Sequence, residues 1–200
     1  MCEPKLHIVD DDEAIRDAMG WLFQSRNVPV ASWPSAEAFL ADYDPAMAGC
    51  LLLDIRMEGM SGLELFDRLT AMGCRMPVLF LTGHGDVPIA VSALKKGARD
   101  FVEKPFNDND LVDRVIDALA FDAGERARQA GQAGVAARLA TLTQRERQVM
   151  GLVVAGKLNK VIADELGISM RTVEVHRAHV FEKMGVKTAV ELARILATVG

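Results

Sequence analysis

Residues 50–54 read Cys50-Leu51-Leu52-Leu53-Asp54, four apolar side chains in a row closed by an acid. So short an unbroken apolar run fits a strand covered on both faces, as in a parallel sheet packed between helices. Upstream, Leu6-His7-Ile8-Val9 has the same form and ends in Asp10-Asp11-Asp12. Downstream, Val78-Leu79-Phe80-Leu81 leads into Thr82, and Phe101-Val102 leads into Glu103-Lys104. Val28-Pro29-Val30-Ala31 is a weaker strand, and its proline suits a sheet edge. Helical patterns separate these runs. Ile15, Ala18, Met19, Leu22 and Phe23 share one helical face. Ser35 caps a helix through about Asp42. Ser61-x-x-Glu64 makes a capping box. Asp86 opens a helix that Gly97 stops, and Asp108 opens another through about Ala120. Five such β-α units predict an α/β fold, a doubly wound five-stranded parallel sheet with right-handed crossovers.

In such sheets ligands gather outside the carboxyl ends of the strands. Those ends carry Asp10, Asp11, Asp54, Thr82 and Lys104. Three carboxylates in one place repel, and a cation relieves them. A few hard oxygen ligands suit Mg²⁺, which keeps waters and accepts phosphate oxygens. Lys104 adds a fixed positive charge and Thr82 a hydroxyl. Together these groups can place a phosphoryl group on a carboxylate nucleophile. Any one aspartate after a strand is more often a turn or cap residue; the whole set at successive strand ends is harder to obtain by accident.

The chain changes character after residue 121. Residues 1–121 hold 11 Lys and Arg against 20 Asp and Glu, a net of −9, whereas residues 122–200 hold 12 against 8, a net of +4. An acidic part suits a divalent cation and a basic part suits phosphates. Residues 122–140 are rich in Ala, Gly, Gln and Arg and lack a wide apolar face. Gly124, Gly131 and Gly134 each cost a helix about 1 kcal/mol relative to alanine. This predicts a partly helical linker that continues the fifth helix and frays, between domains at 1–121 and 141–200. The last domain is all-helical. Thr143-x-x-Glu146 is a capping box opening a helix with Val149, Met150, Leu152 and Val153 inward. A second helix spans Asn159 to Leu166 with Val161, Ile162 and Leu166 inward. After Gly167-Ile168-Ser169 a third runs from Met170 to Met184, burying Val173, Val180 and Met184. Two helices joined by a glycine turn fit a helix-turn-helix, whose second member enters the major groove. A plain helical hairpin has the same periodicity.

No apolar run approaches the roughly 18 residues of a membrane span. Met1-Cys2-Glu3-Pro4-Lys5 shows no secretory pattern, so a cytoplasmic protein without membrane partners is expected. Cys2, Cys50 and Cys74 have no metal-ligand spacing and are expected as reduced thiols.

Residues 5–120 resemble the receiver (flavodoxin-like) domain of two-component response regulators. The stretches Thr82-Gly83-His84-Gly85-Asp86-Val87-Pro88 and Asp100-Phe101-Val102-Glu103-Lys104-Pro105-Phe106 are similar to the FixJ-type subgroup of the FixJ/NarL family. The resemblance implies that Asp54 accepts phosphate from a sensor histidine kinase. It implies Mg²⁺ (or Mn²⁺) on Asp11, Asp54 and the Arg56 backbone carbonyl, with Asp10 helping through water. It further implies that Lys104 and Thr82 contact the phosphoryl group and that the Lys104-Pro105 bond is cis. Phe101 occupies the aromatic switch position, or is a plain core aromatic. Arg56 and His84, two residues past Asp54 and Thr82, either tune dephosphorylation or are merely solvated. Family members often read Met-Pro-Gly where this chain has Met57-Glu58-Gly59, which loses proline rigidity and gains a carboxylate.

Residues 139–199 resemble the LuxR/FixJ-type DNA-binding domain through Leu142-Thr143-x-x-Glu146-x-x-Val149, Asn159-Lys160-x-Ile162-Ala163 and Thr172-Val173-Glu174-Val175-His176. The resemblance implies four helices, the last at about 187–198 and often a dimer surface. It places Thr172, Glu174, Val175 and Ala178 toward base edges. Asn159, Lys160, Arg171, Arg177, His179 and Lys183 become phosphate contacts, which set register. Glu174 either accepts from a cytosine N4 or pairs with Arg171. The expected whole is a regulator that dimerises on phosphorylation and binds double-stranded promoter half-sites. It is not an enzyme beyond its own phosphotransfer and autodephosphorylation. Two rivals stay open: a metal-dependent phosphatase with Asp54 as nucleophile, disfavoured by Arg56 where such enzymes place a second aspartate, and an RNA-binding or protein-binding output.

Overall fold

The computed structural model describes residues 3–83 and 87–198; His84 and Asp86 lie outside the described residues. The chain divides into two compact units, one through Arg126 and one from Ala127 onward.

The first unit alternates β1 (Lys5–Val9), α1 (Glu13–Gln24), β2 (Val30–Trp33), α2 (Ala36–Asp42), β3 (Gly49–Asp54), α3 (Gly62–Ala71), β4 (Val78–Thr82), α4 (Val87–Lys95) and β5 (Asp100–Glu103), then enters α5 (Asp108–Ala140). Every strand pair is parallel, in the order β2-β1-β3-β4-β5. Strand order therefore reverses between β1 and β3, which opens a crevice at their carboxyl ends. The apolar run of β3 splits between two faces by the two-residue period of a strand. Leu51 and Leu53 join Phe39, Leu65, Phe66 and Phe80 under α2 and α3. Cys50 and Leu52 join Phe23, Leu79 and Val115 under α1 and α5. Each such leucine is fully buried, worth about 2 kcal/mol by area. Ala18, expected inward on α1, is exposed.

β2 is an edge strand but starts two residues later than expected. Pro29 has no N–H to give a ladder, and it contributes only its carbonyl, 2.8 Å from the Leu6 N–H. The strand runs on to Trp33, whose ring meets Phe39 edge-on at 5.0 Å.

The expected linker is helical throughout, since α5 continues unbroken to Ala140. Added Cβ atoms at Gly124, Gly131 and Gly134 would meet nothing within 4 Å, so these glycines only weaken the helix. It is fastened on both sides of the unit boundary. Asp122, 2% exposed, accepts from the Gly49 N–H at 2.9 Å and Arg126 Nε at 2.7 Å. Val135 and Leu139 pack into the core of the second unit.

That unit adds α6 (Gln144–Val154), α7 (Asn159–Leu166), α8 (Met170–Met184) and α9 (Ala189–Leu196). Thr143 and Glu146 form the expected capping box, and Ser169 caps α8 through the Thr172 N–H. Gly167, at φ 64°, makes the left-handed turn between α7 and α8. Val149, Val153, Ile162, Val173, Val180, Met184 and Leu192 form the core. Val161, expected inward, is exposed: Ile162 and Ala163 take the inward arc of α7, and one residue earlier lies about 100° around the helix. α9 is shorter than expected because Thr188 caps it through the Glu191 N–H.

Candidate functional site

Parallel strands deliver Asp10, Asp54, Thr82 and Lys104 to one end of the sheet. Carboxylate oxygens of Asp10, Asp11 and Asp54 lie within 4.8 Å of one another. Lys104 Nζ stands 3.1 Å from Asp10 Oδ2 and 3.1 Å from Asp54 Oδ1. Asp10 is buried, Asp54 is 9% exposed and Asp11 faces solvent. Burial raises the Asp54 pKa above the ordinary carboxylate value; Lys104 opposes this, and Asp10 and Asp11 add to it. Burial pulls the Lys104 pKa down, but Asp10 and Asp54 outweigh it and hold the ammonium charged. Three carboxylates against one ammonium leave two negative charges. That deficit and an all-oxygen donor set fit a divalent hard cation such as Mg²⁺.

The surrounding backbone fixes these groups. The Asp12 N–H donates to Asp10 Oδ1 at 2.9 Å, and Arg16 Nη1 donates to the Asp10 carbonyl at 2.7 Å. The loop 57–60, lacking proline, is held by side-chain acceptors instead. The Glu58 N–H donates to Asp11 Oδ2 and the Met60 N–H to Glu37 Oε1, both at 2.9 Å. A proline at 58 would have no such N–H. Gly62 sits so close under β3 that a Cβ there would lie 2.0 Å from the Asp54 carbonyl oxygen.

Thr82 is fully buried, and its hydroxyl is directed at the Val102 carbonyl, 3.5 Å away. Phe101 is half-buried against the Phe66 and Phe80 core. Arg56 is exposed in the loop after β3. The Lys104-Pro105 bond is cis. The structure thus gathers Asp10, Asp11, Asp54 and Lys104 tightly, with Thr82 and Phe101 on the adjoining strands.

In the second unit Arg171, Glu174, Val175 and Ala178 are all exposed, and their spacing puts them on one face of α8. Among the described residues no ion pair joins Glu174 to Arg171. Thr172 is half-buried, its hydroxyl 2.8 Å from Ser169 Oγ. Arg177 Nη1 donates to Asn159 Oδ1 at 2.5 Å, tying α8 to the start of α7, where Lys160 is exposed. Lys183 and His179, on the same helix, both stand near Glu146. Lys183 Nζ lies 2.7 Å from Glu146 Oε2 and 3.3 Å from the Thr141 carbonyl, and His179 Nδ1 lies 3.7 Å from Glu146 Oε1. The buried carboxylate holds the Lys183 ammonium, whereas the His179 ring stays exposed.

Residues 6–116 match the response regulator receiver domain. The chain belongs to the response regulator family. Residues 140–196 match the luxR family of bacterial regulatory proteins, so this response regulator joins a receiver to a LuxR-type DNA-binding domain and is not an enzyme in the ordinary sense. It is 52% identical over 192 residues to the C4-dicarboxylate transport transcriptional regulatory protein DctR of Rhodobacter capsulatus, covering 95% of this chain and 98% of that one. It is 45% identical to the transcriptional regulatory protein FixJ of Azorhizobium caulinodans, covering 98% and 92%. The structure of the response regulator StyR superposes with a TM-score of 0.90 at 38% identity, covering 98% and 99%.

Several residues that shape the pocket of this response regulator escaped sequence reasoning. Gly62 and Arg16 act through the backbone of Asp54 and Asp10, and no spacing rule announces that. Glu37 is distant in sequence from the loop it holds. Asp12 was legible as the acid after Asp10-Asp11, and it proves to be the N-cap of α1.

Proposed function

We propose that Asp54 is the phosphoryl acceptor of a two-component system and that its modification controls dimerisation and promoter binding. The observation that carries this reading is the single ammonium of Lys104 within 3.1 Å of both Asp10 and Asp54, beside the exposed Asp11. The Asp54 carboxylate attacks the phosphorus of a sensor kinase's phosphohistidine. The P–N bond breaks, the imidazole leaves neutral because its other ring nitrogen already carries a proton, and an acyl phosphate remains. Lys104 turns from carboxylate to phosphoryl oxygen without losing its charge, and Thr82 rotates from the Val102 carbonyl to donate to another. Phe101 follows Thr82 inward. Asp10, Asp11, Asp54 and the Arg56 carbonyl would hold Mg²⁺ or Mn²⁺, which neutralises phosphoryl oxygens when bound. Arg56 and His84, each two residues past a pocket residue in the sequence, tune how long the phosphoryl group survives.

The output is double-stranded DNA. Thr172, Glu174, Val175 and Ala178 read base edges, Val175 and Ala178 by apolar contact with thymine methyls and Glu174 by accepting from cytosine N4. Asn159, Lys160, Arg171, Arg177 and His179 meet phosphates, helped by the N-terminus of α7, where Leu158 supplies no side-chain cap. Lys183 is a structural partner of Glu146. A homodimer places two α8 helices on half-sites about one duplex turn apart. No helix among the described residues is long and apolar enough to cross a membrane, and the proposed site of action is the cytoplasm.

The test is incubation of the full chain with acetyl phosphate and Mg²⁺, then borohydride trapping and peptide mapping. Borohydride reduces an aspartyl phosphate to homoserine and releases phosphate; homoserine at position 54 of the mapped peptide, absent in Asp54→Asn, supports the proposal, and homoserine elsewhere, or none, refutes it.

A further inference from the structure

The receiver is acidic overall, yet residues 68–99 hold five cations, Arg68, Arg75, Lys95, Lys96 and Arg99, against the single acid Asp86. Arg75, Lys96 and Arg99 line a cleft of about 450 Å³ whose apolar wall is Phe66, Met76 and Phe121. It lies at the amino ends of β4 and β5, whereas Asp54 closes the carboxyl end of β3. The Arg99 guanidinium sits 4.1 Å from the centroid of the Phe121 ring, and the Arg99 N–H is anchored 2.9 Å from the Val78 carbonyl. Phe121 is 45% exposed, a large apolar surface left open beside fixed cations.

Charge compensation within the fold does not exhaust these cations. Lys96 pairs with Asp67 at 2.8 Å. α3 and α4 both end nearby, each contributing about half a negative charge. Three cations set against Asp67 and those two ends leave roughly one positive charge over. The volume is within the range that holds small ligands.

We propose that this cleft binds a small carboxylate with an apolar body, a site separate from the Asp54 pocket and independent of its role. The carboxylate accepts from Arg75 and Arg99, whose planar guanidinium groups suit two-point contact, while the apolar body covers Met76 and Phe121. An occupant would press on Arg99, just before β5 and two residues before Phe101.

The experiment is an amide NMR titration of the full chain with benzoate, using benzamide as the uncharged isostere. Amides of residues 74–76 and 96–100 should shift saturably with benzoate and not with benzamide at equal concentration. Arg75→Gln and Arg99→Gln should each weaken the benzoate Kd about tenfold, leaving the Mg²⁺ response of Asp54 unchanged. No saturable shift, an equal response to benzamide, or undiminished affinity in the paired variants would overturn the proposal and leave the cations as compensation for helix ends. Should Arg99→Gln disturb folding, Arg75→Gln decides alone, because its side chain is exposed.

Discussion

The Lys183 ammonium lies 2.7 Å from Glu146 Oε2, and Glu146 is only 3% exposed. The same carboxylate accepts from the Thr143 N–H at 2.8 Å, so one acid caps α6 and pins α8 to it. Lys183 and the Thr143 N–H hold the Glu146 pKa down at about 2, from 4.5. A depressed carboxylate stabilises the fold fully above its unfolded pKa and loses that contribution as pH falls toward the folded one. The DNA-binding domain should therefore lose stability between about pH 5 and pH 2, followed by its thermal transition. In Glu146→Gln that pH dependence should flatten; an unchanged slope would place the acid sensitivity elsewhere.

Lys183→Ala leaves the Glu146 carboxylate buried with only Thr143 and the more distant His179 beside it. It should destabilise the DNA-binding domain by about 2 kcal/mol, since an ion pair open to solvent on one side is worth less than a fully buried one. Chemical denaturation of the full chain, read on α6 and α8 amides, measures it. A neutral result would show that Lys183 is free for DNA after all.

Gly62→Ala forces a Cβ to within 2.0 Å of the Asp54 carbonyl oxygen. The neighbouring backbone must move, at a cost of about 1–3 kcal/mol. Phosphorylation by acetyl phosphate should slow beyond what that stability loss explains. A variant that is phosphorylated at the native rate would remove Gly62 from the pocket's supports.

Asp122→Ala orphans the buried Gly49 N–H and releases Arg126. The expected loss is about 2 kcal/mol, together with faster amide hydrogen exchange at residues 122–126. Unaltered exchange there would mean that propensity alone holds this part of α5.

Lys160→Ala should weaken binding to all duplexes alike and reduce the salt slope by about one. Glu174→Gln should instead change preference at one base pair and leave the salt slope nearly fixed. Exchanged outcomes would reverse the two assignments.

The sheet was legible because Leu51 to Leu53 and Val78 to Leu81 are unbroken apolar runs of strand length, as a doubly covered strand requires, and each ends at a polar group with a chemical use. The pocket followed, because parallel strands put Asp10, Asp54 and Lys104 at the same end. What the pattern could not carry was long-range and backbone-mediated. Asp122 holds Gly49 from 73 residues away, so the helix past Phe121 looked like a fraying linker. The inward turn of Lys183 depends on Glu146, 37 residues earlier on another helix. Val161 was misplaced because a helix as short as α7 leaves periodicity ambiguous by one residue.

Sedimentation equilibrium of the full chain, with Mg²⁺ and with or without acetyl phosphate, addresses the coupling of Asp54 to assembly most directly. Acetyl phosphate should shift the wild-type protein from monomer to dimer and leave Asp54→Asn monomeric. A wild-type protein whose mass ignores acetyl phosphate, or an Asp54→Asn protein that dimerises with it, would contradict phosphorylation at Asp54 as the control of this regulator.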